Sequence, residues 1–233
     1  MSISDNLCHI RGRITAAALA AGRDPSEIRL VAVSKTQAAA AVSEAARAGQ
    51  GLFGENYVQE FTAKAAHVTE PVEWHFIGSL QSNKVRQLVG LVTLIHSVDR
   101  LSLAQEISRQ WGKAGKSCDI LLEVNIAGET SKGGTTAEAL LSLTREVATL
   151  PHLRIRGLMT MPPFYDDPDA ARPYFRRLRE LAGVIGTSKI PGVAMTELSM
   201  GMSGDFEAAI EEGATLVRVG TALFGRREHP PIS

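Results

Sequence analysis

The sequence is poor in cysteine and lacks any cysteine pair. The chain has two cysteines in 233 residues, Cys8 and Cys118, which lie far apart and form no CxxC spacing. This usage is typical of a reducing compartment, and we expect both thiols to be buried side chains. The six histidines also lack the spacing of metal ligands, so we expect no metal site.

An excess of charge and long apolar runs are also missing. Lysine plus arginine number 25 and aspartate plus glutamate number 25, and no long run carries one sign. Broad electrostatic binding to nucleic acid or to anionic lipid is therefore not expected. The amino-terminal residues MSISDNLCHIRGR contain no apolar signal segment, and no stretch approaches the length of a membrane span. We expect a cytoplasmic protein without membrane contact.

Short apolar runs alternate with helical patterns along the whole chain. An amphipathic helix is predicted over about residues 3–21, and eight short strands follow, each succeeded by a helical or turn segment. The segment after the third strand is predicted to be a helix near residues 84–89. The predicted strands cover residues 29–35, 50–53, 73–77, 92–97, 118–124, 153–159, 194–198 and 216–220. Eight such units predict an α/β protein with a (β/α)₈ TIM barrel as a single domain over residues 1–233, with a short tail at 226–233. An open doubly wound sheet is the alternative.

The first predicted strand ends in a lysine. Ile28, Leu30, Val31 and Val33 form a short apolar run rich in β-branched residues, and Ser34-Lys35 follows at once. A lysine at the carboxyl end of a strand lies where α/β folds bind their ligands, and lysine is the side chain that forms Schiff bases. Lys35 is therefore a candidate Schiff-base residue. A solvated lysine that caps the strand is the alternative.

Polar and glycine-rich clusters follow the other strands, on the face where barrel sites are built. The last two are suited to an anion, because glycine lets main-chain N–H groups approach a ligand closely and a helix start adds positive potential. These are the loop from Ser199 to Asp205 and the pair Gly220-Thr221. Loops after the seventh and eighth strands are a frequent phosphate site of barrels, so the pair predicts a phosphate cradle.

Arg218 lies inside an otherwise apolar strand, LVRVGT. A charge in this position must be paired or must face the barrel mouth. If it faces a ring nitrogen, its guanidinium can only donate a hydrogen bond. An ion pair between Arg218 and a barrel glutamate such as Glu123 or Glu197 is the alternative.

Two of the histidines, His96 and His152, are predicted to be structural.

Seven segments together resemble one family. They are VAVSK at 31–35, FGENYVQE at 53–60, WHFIGSLQSNK at 74–84, IHSVD at 95–99, RGLMTM at 156–161, LSMGMSGDFEAAIEEGAT at 198–215 and RVGTALFG at 218–225. In this order they resemble the pyridoxal phosphate homeostasis proteins, a single-domain family allied to the barrel of alanine racemase. The resemblance implies a barrel like that of the fold type III enzymes, which use pyridoxal 5′-phosphate (PLP).

The resemblance also implies a cofactor and its binding residues. Lys35 would carry PLP as a Schiff base, and Arg218 would face the pyridine nitrogen. Ser199, Met200 or Ser203, together with Gly220 and Thr221, would hold the phosphate. Asn56 and His75 match family positions near the cofactor.

The function implied by the resemblance is intracellular PLP homeostasis, in which the protein buffers the cofactor or delivers it to apo-enzymes. Racemases need a second acid/base from a domain after the barrel, and the chain ends eight residues beyond Gly225, so robust catalysis is not expected. Two alternatives remain: a weak amino-acid racemase or other PLP enzyme acting on the α-proton, and a Schiff-base aldolase that works without PLP. A monomer is expected, since the sequence shows no obvious apolar surface for a dimer.

Overall fold

Eight parallel strands close into a barrel, in the order in which they occur along the chain. They are seen in a computed structural model that describes residues 2–129 and 132–225. The (β/α)₈ prediction is confirmed, and the open doubly wound sheet is excluded because β1 pairs with both β2 and β8. The tail predicted at 226–233 lies outside the described residues.

The strands and helices alternate as follows. The strands are β1 (Arg29–Val33), β2 (Leu52–Glu55), β3 (Glu73–Phe76), β4 (Leu94–Val98), β5 (Cys118–Glu123), β6 (Leu153–Met159), β7 (Val193–Ser199) and β8 (Leu216–Val219). The α-helices are α1 (Ile3–Ala20), α2 (Ala39–Arg47), α3 (Val58–Ala65), α4 (Leu101–Lys113), α5 (Leu140–Ala148), α6 (Arg172–Thr187), α7 (Phe206–Glu211) and α8 (Thr221–Phe224). Short 3₁₀ helices span Pro25–Glu27, Ser82–Leu88 and Pro168–Ala171. In the part of the chain that is described, no helix combines the length and the apolar character needed to cross a membrane.

The amino-terminal helix α1 begins with a capping box. The Asp5 N–H donates to Ser2 Oγ at 3.1 Å and the Ser2 N–H donates to Asp5 Oδ2 at 3.0 Å. These bonds satisfy main-chain donors that a helix start leaves unpaired. The buried face of α1 packs beside α7 and α8, where the Asn6 amide donates to the Leu223 carbonyl at 2.9 Å. The predicted helix at 3–21 is therefore confirmed.

Two layers of apolar side chains build the core. The larger layer lies between the barrel and its surrounding helices. The smaller one fills the barrel interior and consists of Val31, Leu52, Leu94, Leu121, Met159 and Leu216. Successive residues of a strand point to opposite faces of the sheet. A polar residue two positions from a member of this inner set, on the same strand, therefore also points into the barrel.

Three local predictions were wrong. The second strand begins at Leu52 rather than at residue 50, because the buried Gln50 side chain donates to the main-chain oxygens of Leu30 and Leu52 instead of pairing as a strand residue. The α-helix predicted near 84–89 is the 3₁₀ helix Ser82–Leu88. Cys8 is exposed on α1, and only Cys118 is buried.

Phe61 provides a test of the outer core layer. Its side chain is fully buried, and its ring lies 5.2 Å from that of Trp74. We expect Phe61→Ala to lower the free energy of unfolding by about 3–5 kcal/mol, because the cavity left behind cannot close fully. Phe164 is 82% exposed, so Phe164→Ala is the matched control and should change stability by less than about 0.5 kcal/mol. Urea unfolding measures both, and equal losses would contradict this account of the core.

Candidate functional site

A cavity of about 290 Å³ opens at the carboxyl end of the barrel. Its volume is at the lower end of the range for small-molecule sites, roughly 300 Å³ and above. Residues in or just after β1, β2, β3, β6, β7 and β8 line it, which is the face where barrels of this kind build their sites. The polar side chains and glycines in this lining include Lys35, Asn56, Ser203, Arg218, Gly220 and Thr221.

Lys35 occupies a turn directly after β1. The Gln37 N–H donates to the Ser34 carbonyl at 3.0 Å, so residues 34–37 form a tight turn with Lys35 near its tip. Ser34 is fully buried, whereas Lys35 is half-buried and lines the cavity. The predicted placement of this lysine at the end of the first strand is confirmed.

Asn56 presents an unused acceptor. Its Oδ1 atom is buried and has no hydrogen-bond partner among the described residues, and the residue lines the cavity. Gly78 packs directly against the main chain of this residue, since a Cβ atom at Gly78 would lie 2.2 Å from the Asn56 main-chain oxygen. Buried polar atoms in native proteins are nearly always paired, so the orphan acceptor fits a ligand that donates a hydrogen bond here.

The loops after β7 and β8 converge on one side of the cavity. Ser203 Oγ accepts hydrogen bonds from the main-chain N–H groups of Gly220 at 3.3 Å and Ala222 at 3.5 Å. Gly201 has a φ of +88°, and a Cβ atom there would lie 2.5 Å from the Ala209 side chain. A serine hydroxyl and main-chain N–H groups gathered at one edge of the cavity suit an anionic ligand such as a phosphate.

Arg218 points into the barrel from β8 and is 6% exposed. Its guanidinium donates to the Thr160 carbonyl at 3.0 Å and to Ser199 Oγ. Within residues 2–129 and 132–225, no carboxylate lies close enough to form an ion pair with it, and Glu197 pairs instead with Arg29 at 3.0 Å. The predicted alternative of an ion pair with a barrel glutamate is therefore wrong for Arg218.

Burial lowers the pKa of Arg218 to about 10, and the charges of Asp205 and Glu123 act in the opposite direction. A group with this pKa remains protonated at neutral pH. Its guanidinium carries donors and no acceptor, so a ligand atom placed against it must be an acceptor. Arg218 also lines the cavity.

A chain of hydrogen bonds runs from Arg218 through the barrel interior. Ser199 Oγ lies 2.9 Å from His96 Nδ1, His96 Nε2 lies 3.0 Å from His75 Nδ1, and His75 Nε2 lies 3.1 Å from Glu73 Oε1. We call these five residues the polar chain. Because Arg218 can only donate and the Glu73 carboxylate can only accept, all four bonds must point the same way when both histidines are neutral. Each histidine is then assigned the tautomer with its proton on Nε2.

The two histidines of the polar chain are held neutral. Burial lowers the pKa of His96 well below its usual value, and the neighbouring His75 and Arg218 act in the same direction. Burial also lowers the pKa of His75, against the effect of Glu73. The hydrogen bond from His75 lowers the pKa of Glu73 to about 2, so this end of the polar chain is an anion.

Six of the nine predicted site residues line the cavity, and three do not. Ser199 and His75 belong to the polar chain beneath it, and Met200 is fully buried in the layer between barrel and helices. His96 was predicted to be structural, but it contacts Ser199 in the polar chain. The missed signal is strand alternation, which places His96 on the same inner face as Leu94.

Comparison with known proteins supports the family resemblance that the seven sequence segments indicate. The family model described as "Alanine racemase, N-terminal domain" matches residues 6–228. The pyridoxal phosphate homeostasis protein of Pseudomonas aeruginosa is 47% identical over 229 residues, which are 98% of this chain and 97% of that protein. PipY of Synechococcus elongatus, solved with PLP bound, is 38% identical with a TM-score of 0.85 over 96% of this chain and 100% of that chain. Alanine racemase of Corynebacterium glutamicum shares the fold alone, with 14% identity and a TM-score of 0.72 over 99% of this chain and 64% of that chain.

The closed parallel barrel and the sequence match define a protein of the alanine racemase N-terminal domain class. Within that class, the chain belongs to the family of the pyridoxal phosphate homeostasis proteins.

The polar chain predicts a pH dependence of stability. The pKa of His96 is lower in the folded state than in the unfolded chain, so below about pH 6.5 the unfolded state binds more protons. We expect the free energy of unfolding to decrease as the pH is lowered from 7 to 5, and His96 should contribute up to about 1.4 kcal/mol of this decrease per pH unit. Urea unfolding at several pH values should give a shallower slope for His96→Gln. The exposed His9 provides the control His9→Gln, and an equal slope in all three proteins would contradict the prediction.

Proposed function

We propose that the cavity binds PLP as a Schiff base on Lys35 and that the protein serves cytoplasmic PLP homeostasis, holding the cofactor and delivering it to apo-enzymes. The observation that carries the proposal is the convergence of a lysine, an orphan acceptor, main-chain donors and a cationic donor on one cavity. Family membership and the PLP bound to PipY support the same cofactor. A single domain and a monomer are part of this proposal.

The residues around the cavity fit the groups of PLP. Lys35 would supply the amine for the aldehyde, and Asn56 Oδ1 would accept a hydrogen bond from a polar substituent of the ring. Ser203 and the main-chain N–H groups at Gly220 and Thr221 would hold the phosphate. Met200 and Ser199 would act from below the site, Met200 by packing and Ser199 by fixing the Arg218 side chain.

Arg218 favours storage of the cofactor over turnover. When bound, PLP supplies an electron-withdrawing ring that stabilises negative charge on a substrate carbon. A guanidinium against the pyridine nitrogen leaves that nitrogen unprotonated, since Arg218 has no acceptor and keeps its own proton at neutral pH. The ring is then a weaker electron acceptor, which suits a carrier.

An amino-acid racemase is the enzymatic alternative, and it requires a second acid/base across the cavity. Tyr165 lines the cavity, and its hydroxyl lies 2.7 Å from that of Tyr174. This hydrogen bond raises the pKa of Tyr165, which lowers the fraction of tyrosinate at neutral pH and makes it a poor base. Racemisation of alanine or serine at ordinary enzyme rates would nevertheless establish this alternative.

Lys35→Ala tests the covalent attachment. We expect the unchanged protein to develop an absorption band with PLP that borohydride abolishes while fixing PLP on the Lys35 peptide. Lys35→Ala should show neither the band nor the labelled peptide, whereas Lys113→Ala, which removes an exposed lysine of α4, should match the unchanged protein. Recovery of activity by an apo-enzyme mixed with the loaded protein measures delivery. Absence of the band in the unchanged protein would overturn the proposal and leave the cofactor-free aldolase.

Arg218→Glu tests the environment of the ring nitrogen. A carboxyl group in this position can share a proton with the nitrogen, whereas the guanidinium cannot. We expect Arg218→Glu to change the absorption maximum of bound PLP and the pH dependence of that maximum. Arg218→Gln places no charge at this position, so it serves as a second variant that disturbs the buried site less. The ring-nitrogen assignment would be refuted by an unchanged spectrum together with an unchanged affinity for PLP.

A further inference from the structure

The turn that carries Lys35 contains a strained residue. Thr36 has a φ of +65°, one of two positive values among the described non-glycine residues. A β-branched residue in this region is an outlier, because its Cβ atom crowds the main chain, and such conformations persist only where the surrounding structure holds them. Contacts elsewhere must therefore hold Thr36 in place, and it is the residue next to Lys35.

Those contacts come from α3 and from the end of β2. The Thr36 N–H donates to Glu60 Oε1 at 2.5 Å, and the Lys64 ammonium donates to the Ser34 carbonyl at 2.6 Å. The residues on either side of Lys35 are thus both bound by side chains of one helix. Glu60 and Lys64 are themselves paired at 2.8 Å, one helical turn apart.

Glu55 completes the arrangement from β2. Its Oε1 atom accepts hydrogen bonds from the Lys64 ammonium at 2.5 Å and from the Ser34 hydroxyl at 2.7 Å. The side chain of Glu55 is fully buried and that of Lys64 is 4% exposed, so water does not compete for these bonds. The three donors of Lys64 are all used, on Glu55, Glu60 and Ser34.

We propose that Glu55, Glu60 and Lys64 form a clamp that holds the Ser34–Thr36 main chain in its strained conformation and thereby aims the Lys35 amine into the cavity. The clamp rests on the proposed function of Lys35 as the Schiff-base residue. Its members are positioning residues, since they act through the main chain of Lys35. Lys64 is excluded as the reactive amine because its donors are committed to two carboxylates and a carbonyl.

The step that the clamp promotes is the addition of the Lys35 amine to the PLP aldehyde. The nitrogen lone pair forms a bond to the carbonyl carbon, and the carbonyl oxygen takes two protons from the nitrogen and leaves as water, so that a C=N bond remains. No oxidant or reductant is required. Correct placement of the amine accelerates this step without affecting how the phosphate and the ring are bound.

Glu60→Ala separates the rate of Schiff-base formation from the non-covalent binding of the ring and the phosphate. Glu60 is partly exposed, so its removal leaves no buried cavity but frees the Thr36 N–H. We expect the rate of Schiff-base formation, followed by the absorption band, to fall about tenfold to a hundredfold. The affinity for pyridoxine 5′-phosphate, which has the ring and phosphate but no aldehyde, should stay within about twofold because non-covalent binding does not use the amine.

Two further variants sharpen the comparison. Glu60→Gln keeps an oxygen acceptor for the Thr36 N–H and should restore most of the rate. Glu106→Ala removes a helical glutamate that pairs within α4 at Arg109, away from the turn, and should leave both measurements unchanged.

The outcomes distinguish the clamp from the proposed function. An unaltered rate in Glu60→Ala, or an equal loss of affinity for PLP and pyridoxine 5′-phosphate, would overturn the clamp and leave Lys35 as the Schiff-base residue. Failure of the unchanged protein to form any Lys35-dependent band would overturn both. A slow rate with intact pyridoxine 5′-phosphate affinity, restored by Glu60→Gln, supports the clamp.

Discussion

The buried guanidinium of Arg218 is the constraint on which the centre of this barrel depends. A charge inside a barrel is costly unless hydrogen bonds satisfy it, and Arg218 has a neutral hydroxyl and a carbonyl as partners rather than a carboxylate. The polar chain extends this solvation through Ser199, His96 and His75 to the anion of Glu73. Strands β3, β4, β7 and β8 all contribute residues to the polar chain. The relative positions of four strands are therefore coupled to the hydrogen bonding of one buried cation. The centre of the barrel is therefore electrostatically ordered as well as packed.

Arg218, where the polar chain meets the cavity, and the turn at Lys35 belong to neighbouring strands, since Arg218 of β8 is in register with Val31 of β1. Arg218 is a fixed donor that does not give up its proton at neutral pH, and Lys35 is carried by main chain held from α3. In the proposed function, Arg218 would set the electronic character of a bound ring, and the turn would set the position of the Lys35 amine. A protein with the proposed storage role would need both, because capture depends on the amine and restraint of further chemistry depends on the ring.

The sequence was informative wherever function depends on local pattern. Strand count, the lysine after the first strand and the glycine loops after the last two follow from short-range spacing, and all are found as expected. The polar chain was not foreseen, because His96 meets partners that lie 21 and 103 residues away in sequence. The buried ion pair of Glu55 and Lys64 was missed for a related reason. In the sequence its two members look like any other charged residues, and only the packing of α3 against β2 shows that both are shielded from water.

The cavity draws on six strands, from Val33 at the end of β1 to Gly225 after α8, so its parts are made at widely separated moments of synthesis. Lys35 is synthesised before Arg218 and the donors at Gly220, with more than 180 residues between them. Since β1 hydrogen-bonds to both β2 and β8, the barrel cannot close until the final strand is available. In a chain that lacks β8, Lys35 would therefore have neither Arg218 nor the loop at Gly220 beside it. Under the proposed function, the molecule would gain the capacity to capture an aldehyde in a single event, when β8 pairs with β1 and the barrel closes.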